Sequence, residues 1–316
     1  MFWFLRWSGL SLAGTLLFLV GCSPVGKELT FDEPSAVYRS FDEQRAWSHL
    51  EKQLAFGPRP AGSKALDDTR AFLTKTLNAS GWAVQEQAFT DSTPRGDIKF
   101  VNLRARFGGD SAFRRSVTGL IGSHIDTKIF DEFEFVGAND AGSSTAVLLE
   151  IARAASGRPA LAQQLELIFF DGEEAFVNFT ATDGLYGSRH YARGLRSQSP
   201  DKKPEFAIIL DMVGDRDLTI TLPSDTPPDL ARPLFAAAED LGFRSHFGFF
   251  RTAILDDHVP LQAAGVPAMD IIDFDYPPWH KQTDTIDKLK AESLGVIGQT
   301  TLLLLEKYLL GAKKGG

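Results

Sequence analysis

The sequence predicts a three-layer α/β fold in which helices cover both faces of a central mixed, mostly parallel sheet. The first observation behind this prediction is a series of short, continuous apolar runs, as expected of strands buried on both faces. The second is that segments with helical spacing of apolar residues lie between these runs, which is typical of α/β architecture. No linker-like break interrupts the pattern after about residue 41, so one domain is expected.

Each predicted element follows from its own pattern. The segment 99–107 alternates apolar and polar residues and is predicted to be a half-exposed strand. The predicted buried strands are 117–123, 165–170, 206–210 and 266–272. The predicted helices are 43–53, 63–80, 144–155, 187–196, 229–241 and 292–310.

The 316-residue chain has an ordinary globular composition, with 43% hydrophobic and 23% charged residues. Its 33 Lys and Arg against 41 Asp and Glu give a formal net charge of −8. This acidic balance argues against a general nucleic-acid binder, which needs basic residues to replace the counterions of phosphate groups. Cys22 is the single cysteine, so no intrachain disulfide can form and stability depends on an apolar core.

The first 21 residues are predicted to be an export signal rather than part of the fold. Their apolar run is shorter than the ~20 residues that a membrane-spanning helix needs. The run ends in L-V-G-C, which resembles the bacterial lipobox, so Cys22 is expected to carry a lipid and become the mature N-terminus. An ordinary signal peptide with an incidental cysteine is the alternative.

The resemblance to lipoproteins also predicts location. Residues 22–40 are polar and contain prolines, and they are interpreted as a tether for a catalytic domain spanning 41–312. Ser23 after the cysteine is typical of lipoproteins sorted to the outer membrane. The expected location is therefore the bacterial cell envelope, at the outer membrane, facing the periplasm or the cell surface.

Acidic and imidazole side chains follow the predicted buried strands near the points where those strands end. In open α/β sheets, ligands bind in the crevice beyond the carboxyl ends of the strands. Imidazole and carboxylate groups suit zinc sites that keep one position open for chemistry. The candidate residues are His124, Asp126, Asp140, Asp171, Glu173, Glu174, Asp211 and His280. Their joint occurrence predicts a metal site, with zinc as the expected ion.

Each of these residues alone has a structural explanation. His124 could be a hydrogen-bonded structural histidine, and the pair Glu173–Glu174 could be a solvated helix start, where negative charge suits the helix dipole. Asp140 could serve only as the N-cap of the following helix. The metal-site interpretation therefore depends on the set rather than on any single residue.

Several longer motifs extend this pattern. They are F-G-P-R-P-A-G-S at 56–63, F-V-G-A-N-D at 135–140, L-I-F-F-D-G-E-E-A-F at 167–176, D-G-L-Y-G-S-R-H at 183–190 and D-D-H-V-P-L at 256–261. Together with G-S-H-I-D-T and the late His280, they resemble the zinc exopeptidases of the co-catalytic aminopeptidase family. The last three stretches, with Trp279-His280, resemble its glutaminyl cyclase branch more closely. The resemblance covers roughly residues 45–310.

The resemblance implies a role for individual residues. A single catalytic zinc would be bound by Asp140, Glu174 and His280. Glu173 would be the general acid and base, and it would form a hydrogen-bonded acidic relay with two further carboxylates, Asp211 and Asp256. These neighbours are expected to raise the pKa of Glu173 by like-charge coupling.

The resemblance also describes the pocket and its limits. Trp279 would form an aromatic wall of the substrate pocket. Where animal cyclases carry a histidine a few residues after G-V-P, this chain has Asp270. The segment that follows, up to Pro278, is also one residue shorter, so the pocket rim cannot be copied from those enzymes.

The implied activity is that of a glutaminyl-peptide cyclotransferase, which converts an N-terminal glutamine of a peptide or protein into pyroglutamate and releases ammonia. The main alternative is a two-zinc aminopeptidase that removes N-terminal residues. Its second metal would be bound by His124 and Asp211, with Asp140 bridging, and all three residues are present. A non-catalytic peptide-binding lipoprotein is a remote alternative, because Glu173 would have no role in binding alone.

Overall fold

The computed structural model describes residues 36–311. The predicted signal peptide, Cys22 and most of the predicted tether lie outside the described residues and stay predictions. The tether was expected to reach residue 40, but Val37–Ser40 form a 3₁₀ turn in which Val37 is buried in the main core. The backbone N–H of Val37 donates to the carboxylate of Glu306 at 2.8 Å, so this turn belongs to the folded body.

A six-stranded mixed sheet forms the middle of the fold, and a small two-stranded sheet lies beside it. The strands are Trp82–Thr93 (β1), Gly96–Phe107 (β2), Gly119–His124 (β3), Leu165–Phe170 (β4), Phe206–Asp211 (β5), Ile220–Leu222 (β6), Phe247–Phe249 (β7) and Ala268–Ile272 (β8). The large sheet has the order β1-β2-β4-β3-β5-β8, while β6 pairs with β7. Strands β4, β3, β5 and β8 run parallel, and β1 and β2 are antiparallel to their neighbours.

Helices cover both faces of this sheet, as predicted. They are Glu43–Leu54 (α1), Lys64–Ala79 (α2), Ser144–Ser156 (α3), Pro159–Ala162 (α4), Tyr186–Arg196 (α5), Pro228–Asp240 (α6), His258–Ala263 (α7) and Ala291–Leu303 (α8). Helices α1, α2, α3, α6 and α8 contribute to the larger core on one face, and α5 and α7 to a second core on the other. No helix within residues 36–311 has the length and apolarity that crossing a bilayer requires.

Alternation along the buried strands explains how one sheet supports two cores. In β4, Leu165, Leu167 and Phe169 lie in the larger core, whereas Ile168 and Phe170 lie in the second. Because successive side chains of a strand point to opposite faces, an unbroken apolar run can be buried on both sides. The predicted three-layer α/β fold is confirmed.

The structure differs from the predicted elements mainly in short or exposed segments. Strand β1 was not predicted, because its alternate residues are exposed and polar and it pairs only with β2. The short elements β6, β7 and α7 were also not predicted. The last helix was expected to reach residue 310, but regular α-helix ends at Leu303 and the chain continues as a wider turn of helix through Leu304–Leu309.

Candidate active site

The candidate ligands meet at the carboxyl-terminal edge of the parallel strands. His124 is the last residue of β3 and Asp211 the last residue of β5, while Glu173 and Glu174 follow β4, which pairs with β3. All four side chains are buried. Parallel neighbouring strands end at the same edge of a sheet, so this topology brings the residues together although they are far apart in sequence.

Arg59 holds the turn that presents Asp140 to this edge. Its buried guanidinium donates to the carbonyl oxygens of Val136 at 3.0 Å and Gly137 at 3.1 Å. Gly137 has a φ of 54°, and a Cβ there would lie 2.0 Å from the carbonyl oxygen of Asp140, so only glycine fits. The F-G-P-R-P segment thus has a physical role that its motif alone did not reveal.

Asp284 holds the same turn from the other side. Its carboxylate accepts the backbone N–H of Asn139 at 2.9 Å and that of Asp140 at 3.2 Å. The hydroxyl of Tyr276 donates to it at 2.8 Å. In the sequence Asp284 is merely four residues after His280, and nothing there indicates that it binds the backbone of a distant loop.

The spacing of Asp140, Glu174 and His280 fits a tetrahedral metal ion. His280 Nε2 lies 3.4 Å from Asp140 Oδ2 and 3.2 Å from Glu174 Oε1. Two ligands of a tetrahedral zinc, each bound at ~2.0–2.2 Å, are ~3.3–3.6 Å apart. Among residues 36–311, the buried Asp140 Oδ2 has no hydrogen-bond donor, and a cation between the three side chains would satisfy it. The donor set therefore fits a metal.

Further contacts hold the other two members of this set. Asp126 accepts the backbone N–H groups of Glu173 at 3.0 Å and Glu174 at 3.2 Å, which fixes the loop after β4. His280 has a φ of 53°, a left-handed conformation that is costly for a non-glycine residue and persists only where its surroundings hold it. Its ring stacks on that of Trp279, with centroids 4.3 Å apart.

A second set of ligand atoms has similar spacing and shares Asp140. His124 Nε2 lies 3.2 Å from Asp140 Oδ1 and 3.3 Å from Asp211 Oδ1. Geometry alone therefore also admits the predicted second metal, with Asp140 bridging. Burial disfavours a charged imidazole, but Asp211, Asp126 and Asp140 together raise the pKa of His124 well above its usual value. An imidazolium at this position would supply positive charge in place of a metal, because a metal ligand must be the neutral ring.

Glu173 has the perturbed environment of a proton-transfer group, although not chiefly for the predicted reason. Burial is the largest cause that raises the pKa of its carboxyl well above the usual range, and Asp256 raises it further, against the opposing effect of His124. Asp211 was expected to raise the pKa of Glu173 as well, but it is not one of the larger causes of this shift within the described residues. Burial also raises the pKa of Asp211 itself to about 7. A buried carboxyl that holds its proton more tightly than usual suits general acid–base chemistry.

The predicted hydrogen-bonded relay differs from what the structure contains. Within the described chain, no direct hydrogen bond joins Glu173 to Asp211 or Asp256. All three are buried close enough for Asp256 to affect the pKa of both other carboxyls. Their coupling is therefore electrostatic, because like charges in a desolvated crevice disfavour each other's ionised forms.

Two acidic residues that the sequence singled out lie apart from the ligand cluster. Asp171 was expected among the strand-end ligands, but its carboxylate accepts from Arg70 at 2.9 Å and from the backbone N–H of Val101. Asp270 is in β8, fully buried, with Oδ2 3.7 Å from Nδ1 of His258. Where animal cyclases were expected to carry a histidine, this chain thus has a buried Asp beside a histidine from α7.

A small cavity of about 190 Å³ opens onto these groups. It is smaller than the ~300 Å³ from which pockets for drug-sized ligands start, so its size suits a single amino-acid residue. Its acidic and imidazole walls come from Asp140, Glu173, Asp211 and His280, and its apolar walls from Phe179, Met212, Leu255, Ile272, Phe274 and Trp279. Of these apolar residues, Trp279 alone was predicted from the sequence, because the others lie on separate loops and strand ends without a common motif.

The layered sheet and the carboxylate–imidazole cluster at its edge are those of a peptidase-like α/β protein, and the chain belongs to peptidase family M28, whose sequence profile matches residues 102–305. Within that family it belongs to the glutaminyl cyclase branch. The glutaminyl-peptide cyclotransferase-like protein of Mus musculus is 30% identical over 312 residues, an alignment that covers 86% of this chain and 78% of the relative.

Solved structures agree with this assignment. The crystal structure of Acidobacteriales bacterium glutaminyl cyclase superimposes with a TM-score of 0.77 at 32% identity and covers 84% of this chain and 94% of that chain. Porphyromonas gingivalis glutaminyl cyclase gives a TM-score of 0.76 at 28% identity, over 84% of this chain and 98% of that chain. The aminopeptidase interpretation is therefore not favoured.

Proposed function

We propose that this chain is a zinc-dependent glutaminyl-peptide cyclotransferase, which converts the N-terminal glutamine of peptides or proteins to pyroglutamate and releases ammonia. One observation carries the proposal. A buried carboxyl with a raised pKa, that of Glu173, lines the same residue-sized cavity as Asp140 and His280 of the metal-ligand set. The names of the M28 relatives support this activity over peptide hydrolysis.

The assigned ligands of the zinc ion are Asp140, Glu174 and His280. Mixed carboxylate and imidazole ligands are typical of catalytic zinc, with three protein ligands and one open position. When bound there, zinc supplies a Lewis acid that polarises the side-chain amide of the substrate glutamine. Two residues outside the ligand set support it. Asp284 accepts the backbone N–H of Asp140, and Asp126 accepts that of Glu174, so the loops that carry these two ligands are held in place.

The remaining chemistry belongs to the chain's own residues. The substrate's α-amine attacks its own side-chain amide carbon, so a nitrogen–carbon bond forms and the bond to the departing nitrogen breaks. Glu173 accepts the proton that the amine loses and returns it to the leaving nitrogen, which departs as ammonia. The narrow cavity holds both ends of one residue together, which removes most of the entropic cost of ring closure. The apolar walls, including Phe274 and Trp279, exclude the water that would otherwise hydrolyse the amide.

The activity is tested by giving the purified protein two substrates, a peptide that begins with glutamine and leucine p-nitroanilide. We expect ammonia release and no shortening of the peptide, because the nucleophile is the substrate's own amine. Leucine p-nitroanilide should remain intact. The measurements are an ammonia assay and mass spectrometry of the peptide.

An N-acetylated form of the same peptide provides the matched control. Acetylation removes the nucleophilic amine but leaves the side-chain amide, so no ammonia should appear. Release of free amino acids from either substrate, with two zinc ions per chain, would overturn the cyclotransferase assignment in favour of an aminopeptidase.

Trp279 is expected to act on substrate binding. Its ring lies within 5.0 Å of the Phe274 ring, centroid to centroid, and forms part of the cavity wall. Replacing Trp279 by alanine removes a contact surface worth about 1.5–3 kcal/mol, so kcat/KM should fall about 10- to 100-fold, mainly through KM. The conservative variant W279F should recover most of this loss. Because Trp279 also stacks on His280, metal content is measured in parallel, and a loss of metal without a rise in KM would contradict the substrate-wall role.

We further propose that the protein is exported and anchored at the outer membrane of the bacterial cell envelope, facing the periplasm or the cell surface, by a lipid on Cys22, with residues 22 to 36 as a tether. The support is the apolar run ending in L-V-G-C and the polar, proline-containing segment after it. Radiolabelled fatty acid should be incorporated into the wild-type chain and not into C22S. Equal labelling of both would exclude this attachment site.

A further inference from the structure

A second, larger cavity lies at the other end of the sheet from the active site. It has a volume of about 400 Å³ and is bounded by β2, the segment 113–117 and the second half of α5. Val117 and Pro204, which line it, precede the parallel strands β3 and β5. The cavity therefore opens at the amino-terminal ends of these strands, whereas the catalytic residues follow the carboxyl-terminal ends.

The walls of this cavity concentrate positive charge. Among the residues that the structure describes, five cationic side chains and no acidic one line it: Arg104, Arg106, Arg114, Arg115 and Lys202. The chain as a whole has a formal charge of −8, so such a concentration is not a consequence of overall composition. We name this cavity the basic pocket.

Glu166, the carboxylate behind the wall, balances only part of this charge. It is fully buried and accepts from Arg104 Nε at 2.7 Å and Nη2 at 2.9 Å, from Arg106 Nε, and from the Tyr191 hydroxyl at 2.9 Å. The bidentate Arg104 alone would neutralise this single carboxylate. Arg106 also donates to the carbonyl oxygens of Ala112 and Arg115 and so holds the segment that carries Arg114 and Arg115, but no second carboxylate among these contacts balances its charge.

Three more cations, all exposed, converge on the basic pocket from other segments. Arg115 donates to the carbonyl oxygen of Phe107 at 3.1 Å. Within the described residues, the side chain of Arg114 has no hydrogen-bond or ion-pair partner, and Lys202 interacts electrostatically with the exposed Asp201 beside it. Exposed cations beside two arginines that share one carboxylate create a local positive potential that an anion would relieve.

The two arginines of β2 are held in a fixed orientation. Arg104 and Arg106 lie two residues apart in β2 and so project from the same face of the strand. The ring of Phe113 lies 5.6 Å from the Arg104 guanidinium carbon and 5.5 Å from that of Arg106, and Tyr191 lies 5.5 Å from that of Arg104. Cation–π contacts of this kind restrict the planar groups, so a ligand would meet preorganised donors.

We propose that the basic pocket binds a ligand carrying a phosphate or diphosphate group. Fixed guanidinium groups match the oxygens of phosphate better than lysine alone does, and exposed cations around them can complete the neutralisation of a multiply charged anion. A single carboxylate would offset only one of the surplus charges. The phosphate group belongs either to a soluble phosphate ester or to a lipid headgroup, and the pocket makes no use of the catalytic residues.

Two binding measurements on the full chain test the proposal. Calorimetry measures the binding of inorganic pyrophosphate, and a flotation assay measures the binding of vesicles that contain phosphatidylglycerol. The pocket variant is the double replacement R114Q and K202Q, both at exposed positions. The control variant, K75Q with K99Q, removes the same charge from exposed sites elsewhere on α2 and β2. We expect the pocket variant to weaken pyrophosphate binding at least tenfold and the control variant to leave it unchanged.

The other outcomes are equally decisive. Pocket-dependent binding of vesicles without binding of pyrophosphate would support the site and identify a lipid headgroup as the source of the phosphate. Binding of neither probe, or equal binding by the pocket and control variants, would overturn it. Cyclisation of the glutamine peptide should be the same in both variants, which shows that they fold and separates this proposal from the proposed function.

Discussion

Replacing Glu173 by glutamine is expected to lower kcat about 10²- to 10⁴-fold, the usual contribution of a general acid–base group, while the bound metal stays at the wild-type level. Glu173 lines the cavity and does not belong to the Asp140–Glu174–His280 set. The amide of glutamine keeps the shape of the side chain but cannot accept the proton of the attacking amine. Steady-state kinetics and metal analysis of the purified variant are the measurements.

The neighbouring residue gives a matched control for this experiment. Glu174→Gln makes the same chemical change one position along the chain, and since Glu174 Oε1 lies 3.2 Å from His280 Nε2, it should lower metal content. A replacement at the exposed Glu132, E132Q, should change neither quantity. Loss of metal from E173Q with retention in E174Q would mean that the two glutamates have the opposite roles.

The pH dependence of the reaction should reflect the same environment. Burial, with Asp256 adding to it, raises the pKa of the Glu173 carboxyl well above the usual range. A general base acts in its ionised form, so turnover should fall as the pH drops through this raised pKa rather than only near that of an ordinary carboxyl. The chemical reason is that charge is costly in a desolvated crevice lined by other carboxyls.

The strand-end candidates could be predicted from the sequence because a local rule identifies them, whereas the roles assigned to them came from the family resemblance. His124, Asp211 and the Glu173–Glu174 pair lie at or within a few residues of the ends of buried apolar runs, and parallel strands deliver such positions to one edge of a sheet. The same runs predict the fold class, since strands buried on both faces have no other common arrangement in α/β proteins. A correct order of the strands was not needed for this prediction.

The supporting contacts could not be predicted, because they depend on tertiary contacts without a local pattern. Arg59 and Asp284 come from distant parts of the chain and meet at the turn of Asp140. Asp171 has the same strand-end position as the ligands, yet Arg70 of α2 binds its carboxylate away from the crevice. A strand end therefore identifies candidates, and the surrounding elements decide which of them enter the site.

Asp270 could be singled out from the sequence, but its surroundings could not be predicted. The sequence indicates that this position departs from animal cyclases, and the structure shows a buried acid beside His258. Burial raises the pKa of Asp270 well above its usual range, and Asp256 and Asp211 raise it further. Because Asp270 interacts electrostatically with Asp256 and Asp211, replacing it should alter the pKa values of these carboxyls even though Asp270 does not line the substrate cavity among the described residues.

Replacing His280 by alanine is expected to remove the metal and to lower kcat/KM by at least about 10³-fold. Loss of a Lewis acid costs several kcal/mol of transition-state stabilisation, and each 1.36 kcal/mol is a factor of ten. His280 Nε2 lies close to both proposed carboxylate ligands, at 3.4 Å from Asp140 Oδ2 and 3.2 Å from Glu174 Oε1. The strained φ of 53° at His280 is explained by the position that its ring must occupy between them. Metal analysis and calorimetric zinc titration of the variant are the measurements.

The corresponding variant at His124 decides how many metals the site holds. His124 and Asp211 have a spacing to Asp140 that a second ion would also fit, but an imidazolium can neutralise the same carboxylates, and the raised pKa of His124 favours that form. We expect one zinc per chain in the wild type, none in H280A and one in H124Q, with reduced turnover in H124Q because Asp140 and Asp211 lose their cationic neighbour. Two zinc ions in the wild type that fall to one in H124Q would show that the imidazole is a ligand, and the electrostatic account of His124 would then be wrong.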